Sequence, residues 1–126
     1  MKGNKEIITK TIKELGIPAN LKGYHYISCG VEMIINEFDL IYSTTRLYGE
    51  VAKRFDTTQL RVERGIRNAK EIGWKRANIE FANKLFGYSI DANKGIPTNS
   101  EFLATIADYI FTLLNRPDEK GGENNA

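Results

Sequence analysis

The 126-residue chain is 41% hydrophobic and 27% charged, with 18 Lys/Arg against 16 Asp/Glu and a formal charge of +2. That composition suits one compact domain and leaves little room for a second. It excludes a membrane-spanning helix, because no run approaches the roughly 18 to 20 apolar residues that a bilayer demands, and Met1-Lys2-Gly3-Asn4-Lys5-Glu6 lacks the apolar stretch of a signal peptide.

Ile7, Ile8, Ile12 and Leu15 recur at helical spacing, and Gly16 followed by Ile17-Pro18 ends the segment, which predicts a first helix. From Tyr24 to Ile41 the apolar positions Ile27, Val31, Ile34, Ile35, Phe38 and Ile41 fall three or four apart and predict a second, interrupted only by Gly30. A third helix is expected over Thr45 to Phe55, with Leu47, Val51, Ala52 and Phe55 facing inward, and a fourth over Gln59 to Arg76. Asn78 is placed to cap a fifth carrying Ile79, Phe81, Ala82, Leu85 and Phe86, which Gly87 would end in a left-handed conformation, ahead of a polar loop from Ser89 to Gly95. Thr98 and Glu101 have capping-box spacing before Phe102, Leu103, Ile106, Ala107, Ile110, Phe111 and Leu114, which predicts a sixth helix. The expectation is an all-α domain of six helices over residues 1–114. Residues 115–126, rich in Gly, Asn and charge, are expected to form a disordered tail because they have too little apolar surface to offset their ordering entropy.

The third and fourth helices, with a three-residue turn between them, read as a helix-turn-helix. Residues 44 to 78 hold nine Lys/Arg against four acids, a local balance of +5 in a chain of +2. Positive charge gathered on one element is how a protein meets a polyanion without being basic throughout. At about 100° per residue, Val62, Ile66, Ala69 and Gly73 form one inward stripe, while Arg64, Arg67 and Glu71 point outward with Arg61, Glu63 and Asn68 on the flanks. Ala52 is the small residue expected to let the two helices cross closely, sealed by Val51, Phe55, Val62 and Ile66. Thr58 is expected to cap the fourth helix. Arg61 and Arg64 suit guanine O6 and N7 and Glu63 a cytosine amino group, so these three are assigned to base readout. Thr58, Gln59, Arg67, Asn68, Lys75 and Arg76 are assigned to phosphates or secondary contacts that position the protein. The competing reading is a solvated helix face laced by weak ion pairs; the turn, the cap and the local charge favour a DNA reader. Asp56 stands in the turn where glycine is commonest.

Arg61-Val62-Glu63-Arg64-Gly65-Ile66-Arg67, taken with Gly16-Ile17-Pro18-Ala19-Asn20-Leu21-Lys22-Gly23-Tyr24, Leu85-Phe86-Gly87-Tyr88 and Pro97-Thr98-Asn99-Ser100-Glu101-Phe102, resembles the C-terminal effector domain of the stage-zero sporulation regulator protein A family of spore-forming bacteria. The four motifs lie in register over roughly residues 7 to 111. The resemblance implies a six-helix domain that binds a short promoter box and regulates transcription, often as a head-to-tail pair on DNA through the last helix. It implies base contacts at Arg61, Glu63 and Arg64, with neighbouring polar residues on phosphates. Gly65 and Asn68 replace the Ala and His of the family pattern. The family regulator normally carries an N-terminal receiver domain, whereas these 126 residues begin almost at the effector-like part, so the resemblance does not extend to phosphorylation control; of a fragment and a free-standing relative, the Gly/Asn-rich end leads us to expect the latter.

Expected partners are therefore double-stranded DNA, a second copy of the chain on DNA, and a full-length response regulator or RNA polymerase, in the cytoplasm and away from membranes. A single Cys29 fits that reducing compartment. No enzyme, cofactor or metal site is expected. His25 and Cys29 supply only one ligand of each kind where structural zinc needs about four, so His25 is expected to bond backbone or lie at the surface and Cys29 to pack as a small apolar residue. Trp74, Tyr24, Tyr26 and Tyr88 are expected in core or rim packing, not as stacking platforms for single strands. The rival reading is a protein-interaction module that pairs with a full-length regulator and modulates its DNA binding. Its seam would be the apolar band of the sixth helix, with Phe102, Ile106, Ile110 and Phe111 at its centre and Leu113 and Leu114 beyond.

Overall fold

In the computed structural model, which describes residues 2–76, 79–87 and 95–115, the elements are helices α1 (Lys2–Glu14), α2 (Lys22–Asn36), α3 (Thr44–Arg54), α4 (Gln59–Arg76), α5 (Ile79–Phe86) and α6 (Asn99–Leu114), with a 3-10 segment at Phe38–Tyr42 between α2 and α3. There is no strand among the described residues, and the fold is all-α. Among the described residues no helix is long and apolar enough to cross a membrane. The expected Asn78 cap, Tyr88, most of the polar loop from Ser89 to Gly95 and the tail from residue 116 onward lie outside the described residues.

α1 buries Ile8 and Ile12 on its inner face, with Leu15 buried just beyond its end. It stops where glycine permits a left-handed residue: Gly16 has φ +83°, its N–H donates to Lys13 O at 2.9 Å and the Ile17 N–H donates to Ile12 O at 3.4 Å. These paired bonds are a Schellman motif and satisfy carbonyls that the helix end would otherwise orphan.

α2 is the spine of the core, with Tyr24, Tyr26, Ile27, Val31 and Ile34 all buried. The single helix expected from Tyr24 to Ile41 is in fact broken. Glu37 takes φ −144° and ψ 88°, and the chain resumes as the 3-10 segment. Phe38 and Ile41 are three apart, a spacing that α and 3-10 helices share, so apolar periodicity runs through the break without marking it. Tertiary contacts fix the new direction. Leu40 is buried, Phe38 meets Phe111 edge-on at 5.5 Å, and Arg46 of α3 donates to both carboxylate oxygens of Glu37 at 2.8 and 3.2 Å.

α6 begins with the expected capping box: the Glu101 N–H donates to Thr98 Oγ1 at 3.1 Å and the Thr98 N–H donates to Glu101 Oε1 at 3.0 Å. Its residues Phe102, Leu103, Ile106, Ala107 and Ile110 enter the core. Trp74 of α4 lies edge-on to Phe86 of α5 at 5.3 Å, and Phe86 stacks on Phe102 of α6 at 5.8 Å. This aromatic cluster fastens the C-terminal half of α4 to the last two helices.

Candidate nucleic-acid interface

The turn between α3 and α4 is a second Schellman motif. Asp56 N–H donates to Lys53 O at 3.3 Å and Thr57 N–H to Ala52 O at 2.9 Å, with Asp56 at φ +53° in the position that glycine usually fills. Aspartate tolerates this region better than most residues. α3 ends at Arg54, so the linker comprises residues 55 to 58 and is one residue longer than the periodicity predicts. Phe55, expected to seal α3 against α4, is instead 39% exposed and packs edge-on against Tyr26 of α2 at 5.2 Å. Thr58 caps α4 by accepting the Arg61 N–H at 3.2 Å.

α4 divides into two faces. Val62, Ile66 and Ala69 are 0% exposed and Gly73 is buried. Full burial of Val62 and Ile66 stabilises the helix on its scaffold by about 1.5 to 3 kcal/mol each. Arg61, Arg64, Arg67, Asn68, Glu71, Lys75 and Arg76 are exposed, as are Thr58 and Gln59. Glu63 is half-buried and forms an ion pair with Arg67 one turn on. Arg61 and Arg64 have no ion-pair partner among the described residues.

The basic stretch therefore splits by location. Arg46 is engaged with Glu37, which raises its already high pKa mainly through their hydrogen bond. Lys53 pairs with Glu50 at 3.6 Å. Lys70 is buried and donates to Pro97 O at 2.8 Å, tying α4 to the approach to α6; desolvation lowers its pKa, with Glu71 and Glu101 opposing and Arg67 reinforcing that shift. Neither Arg46 nor Lys70 belongs to the exposed face of α4.

Residues outside the sequence assignment set the seat of α4. A Cβ on Gly23 of α2 would lie 2.0 Å from Gly65 O and 2.7 Å from Ala69 Cβ, and one on Gly65 would lie 2.9 Å from the Tyr26 ring. A Cβ on Gly73 would come within 2.5 Å of Ile17 Cγ1. α4 thus crosses α2 at backbone contact, through Gly23, Gly65 and Ala69. Ala52 on α3, expected from sequence to let α3 and α4 cross closely, is buried. The recurrence of Gly65, Ala69 and Gly73 every four residues is the signal that could have revealed the crossing on α2. Asn99 adds a polar tie, donating to Glu63 O at 3.2 Å and to Tyr48 Oη at 3.3 Å.

At the entry to α4, Lys22, His25, Tyr26, Phe55, Asp56, Thr57 and Arg61 line a hollow. Lys22 and His25 are brought there by the fold alone. His25 shares a 3.0 Å hydrogen bond through Nε2 with Ala19 O, and Cys29 is buried as an apolar residue would be. Tyr24 and Tyr26 are buried and Trp74 packs against the core. Among the described residues no group of three His, Cys, Asp or Glu converges as a metal site would require.

The seam residues of α6 separate sharply. Phe102, Ile106 and Ile110 are at most 1% exposed, because α6 inserts them among α2 and its neighbours, whereas Phe111 is 41% exposed. In this conformation only Phe111 of the four is presented to a partner, with exposed Leu114 one turn further on.

The family model described as "Sporulation initiation factor Spo0A C terminal" matches residues 8–110.

Proposed function

The chain belongs to the Spo0A C-terminal family of DNA-binding transcription-regulator domains, and on that premise we propose that it reads a short promoter box in duplex DNA through the major groove. The supporting observation is that Arg61 and Arg64 are exposed and have no ion-pair partner among the described residues, on a helix whose opposite stripe is buried. A groove about 12 Å wide accepts one helix that hides its apolar side on a scaffold. Arg64 occupies the centre of the outward face and Arg61 its leading edge, both suited to bidentate contact with guanine. Glu63 reads a cytosine amino group from the flank, and its pairing with Arg67 holds both side chains along the helix before DNA arrives. Thr58, Gln59, Asn68, Lys75 and Arg76 position the duplex through its phosphates, with Lys22 adding charge beside Arg61. A second copy on an adjacent site would meet the domain near Phe111 and Leu114, the exposed apolar side chains at the end of α6.

The test is a binding series on a box selected from random duplexes. Arg64→Ala should lose about 1 to 3 kcal/mol on the selected box and relax sequence choice there. Arg76→Ala should weaken all duplexes alike and reduce the salt slope by about one. Equal losses on selected and random duplexes for both variants would eliminate base readout.

A further inference from the structure

Leu60 is the exposed large hydrophobic side chain of α4, at 55% exposure, and belongs neither to the core nor to the apolar residues packed against it. A lone exposed leucine is ordinary on a protein surface; its place on this helix is not. Taking the direction opposite Val62, Ile66, Ala69 and Gly73 as the centre of the outward face, Arg64 lies about 10° from it and Leu60 about 30°, whereas Arg61 lies about 70° away and Glu63 about 90°. Leu60 is thus closer to the middle of the presented face than two of the three proposed base readers. It sits in the first turn, just after the Thr58 cap. That is the end of a recognition helix whose side chains reach base edges. Its Cα is about 6 Å along the axis from that of Arg64, which spans no more than about two base-pair steps.

We infer that Leu60 is a specificity-determining residue that packs its isobutyl group on the C5-methyl of a thymine beside the bases read by Arg64. The inference rests on the base-reading function above. The major-groove edges of base pairs are otherwise hydrogen-bonding groups, and the thymine methyl is the apolar feature that such a side chain can cover. Cytosine lacks that methyl, so Leu60 would favour T over C at this position, where an arginine or a small polar residue would not.

Replacing thymine by deoxyuridine removes the methyl and leaves every hydrogen-bonding group in place. Thymines of the selected box are to be replaced singly, with affinities measured for the wild-type chain, Leu60→Ala and Arg64→Ala. Because Leu60 is exposed, Leu60→Ala leaves the core untouched. At one thymine the wild type should lose about fourfold, the factor corresponding to burial of one methyl group. Leu60→Ala should be indifferent to the same replacement, while Arg64→Ala keeps the sensitivity. No deoxyuridine effect in the wild type, or an equal effect in the wild type and Leu60→Ala, would overturn the inference. The base-reading function would survive either result if Arg64→Ala still lost discrimination of guanine from the other bases.

Discussion

Two glycines of one helix, Gly23 and Gly30, should respond in opposite directions to the same substitution. A Cβ at Gly23 would stand 2.0 Å from Gly65 O and 2.8 Å from Gly65 C, both backbone atoms of α4. Reaching the 3.4 Å of ordinary contact requires about 1.4 Å of separation, and no flexible side chain can supply it. Overpacking of this kind costs about 1 to 3 kcal/mol, against at most about 1 kcal/mol gained in helix propensity. At Gly30 the new atom would meet Leu103 Cδ1, Leu47 Cδ2 and Val51 Cγ2 at 4.0 Å, which is ordinary packing. Gly30→Ala should therefore stabilise by about 0.5 to 1 kcal/mol, and Gly23→Ala should destabilise by about 1 to 2 kcal/mol. The two variants should differ in urea midpoint by about 1 M. Gly23→Ala should also weaken DNA binding, because the shift falls on the helix that carries Arg61 and Arg64, while Gly30→Ala leaves binding unchanged. If Gly23→Ala is as stable as Gly30→Ala, the two helices are not in backbone contact and the account of how α4 is seated fails.

Other expectations follow from the helix-turn-helix and the buried thiol. Asp56→Gly should raise the melting temperature, a gain of up to about 1 kcal/mol, and Asp56→Val should lower stability by more than about 1 kcal/mol, because φ +53° suits glycine and crowds a branched side chain; equal stabilities would argue against the left-handed turn. Thr58→Ala should cost about 1 kcal/mol in chemical denaturation through loss of the cap on the Arg61 N–H. Burial raises the Cys29 pKa, the field of Arg54 opposes that shift and that of Glu32 adds to it. The unfolded thiol ionises first, so this contribution to stability is complete below pH 9.0 and declines as pH rises from there through the folded value. Cys29→Ala should flatten that alkaline decline in a denaturation series across pH, and an unchanged profile would count against burial of the thiol.

Periodicity by itself was enough to place α4 over Gln59–Arg76, since an 18-residue helix repeats its apolar stripe often enough to fix both phase and face. Caps at Thr58 and Thr98 and the left-handed residues Gly16 and Gly87 were legible for a similar reason, because each depends on neighbours a few residues away. The exposure of Arg61 and Arg64 follows directly from that phase.

Long-range contacts decided the rest. Whether Phe38 and Ile41 continued α2 depended on Phe111 and Arg46, which lie far along the chain, and Phe55 turned to Tyr26 for the same kind of reason. Lys70, one of the nine Lys/Arg of the basic stretch, is buried because its Nζ donates at 2.8 Å to Pro97 O, 27 residues later in the sequence. The apolar band of α6 looked wide enough for a partner, yet Phe102, Ile106 and Ile110 are consumed by the domain's own core. Helical phase determines which side of a helix is apolar; only packing of the other helices determines how much of that side remains for anything else.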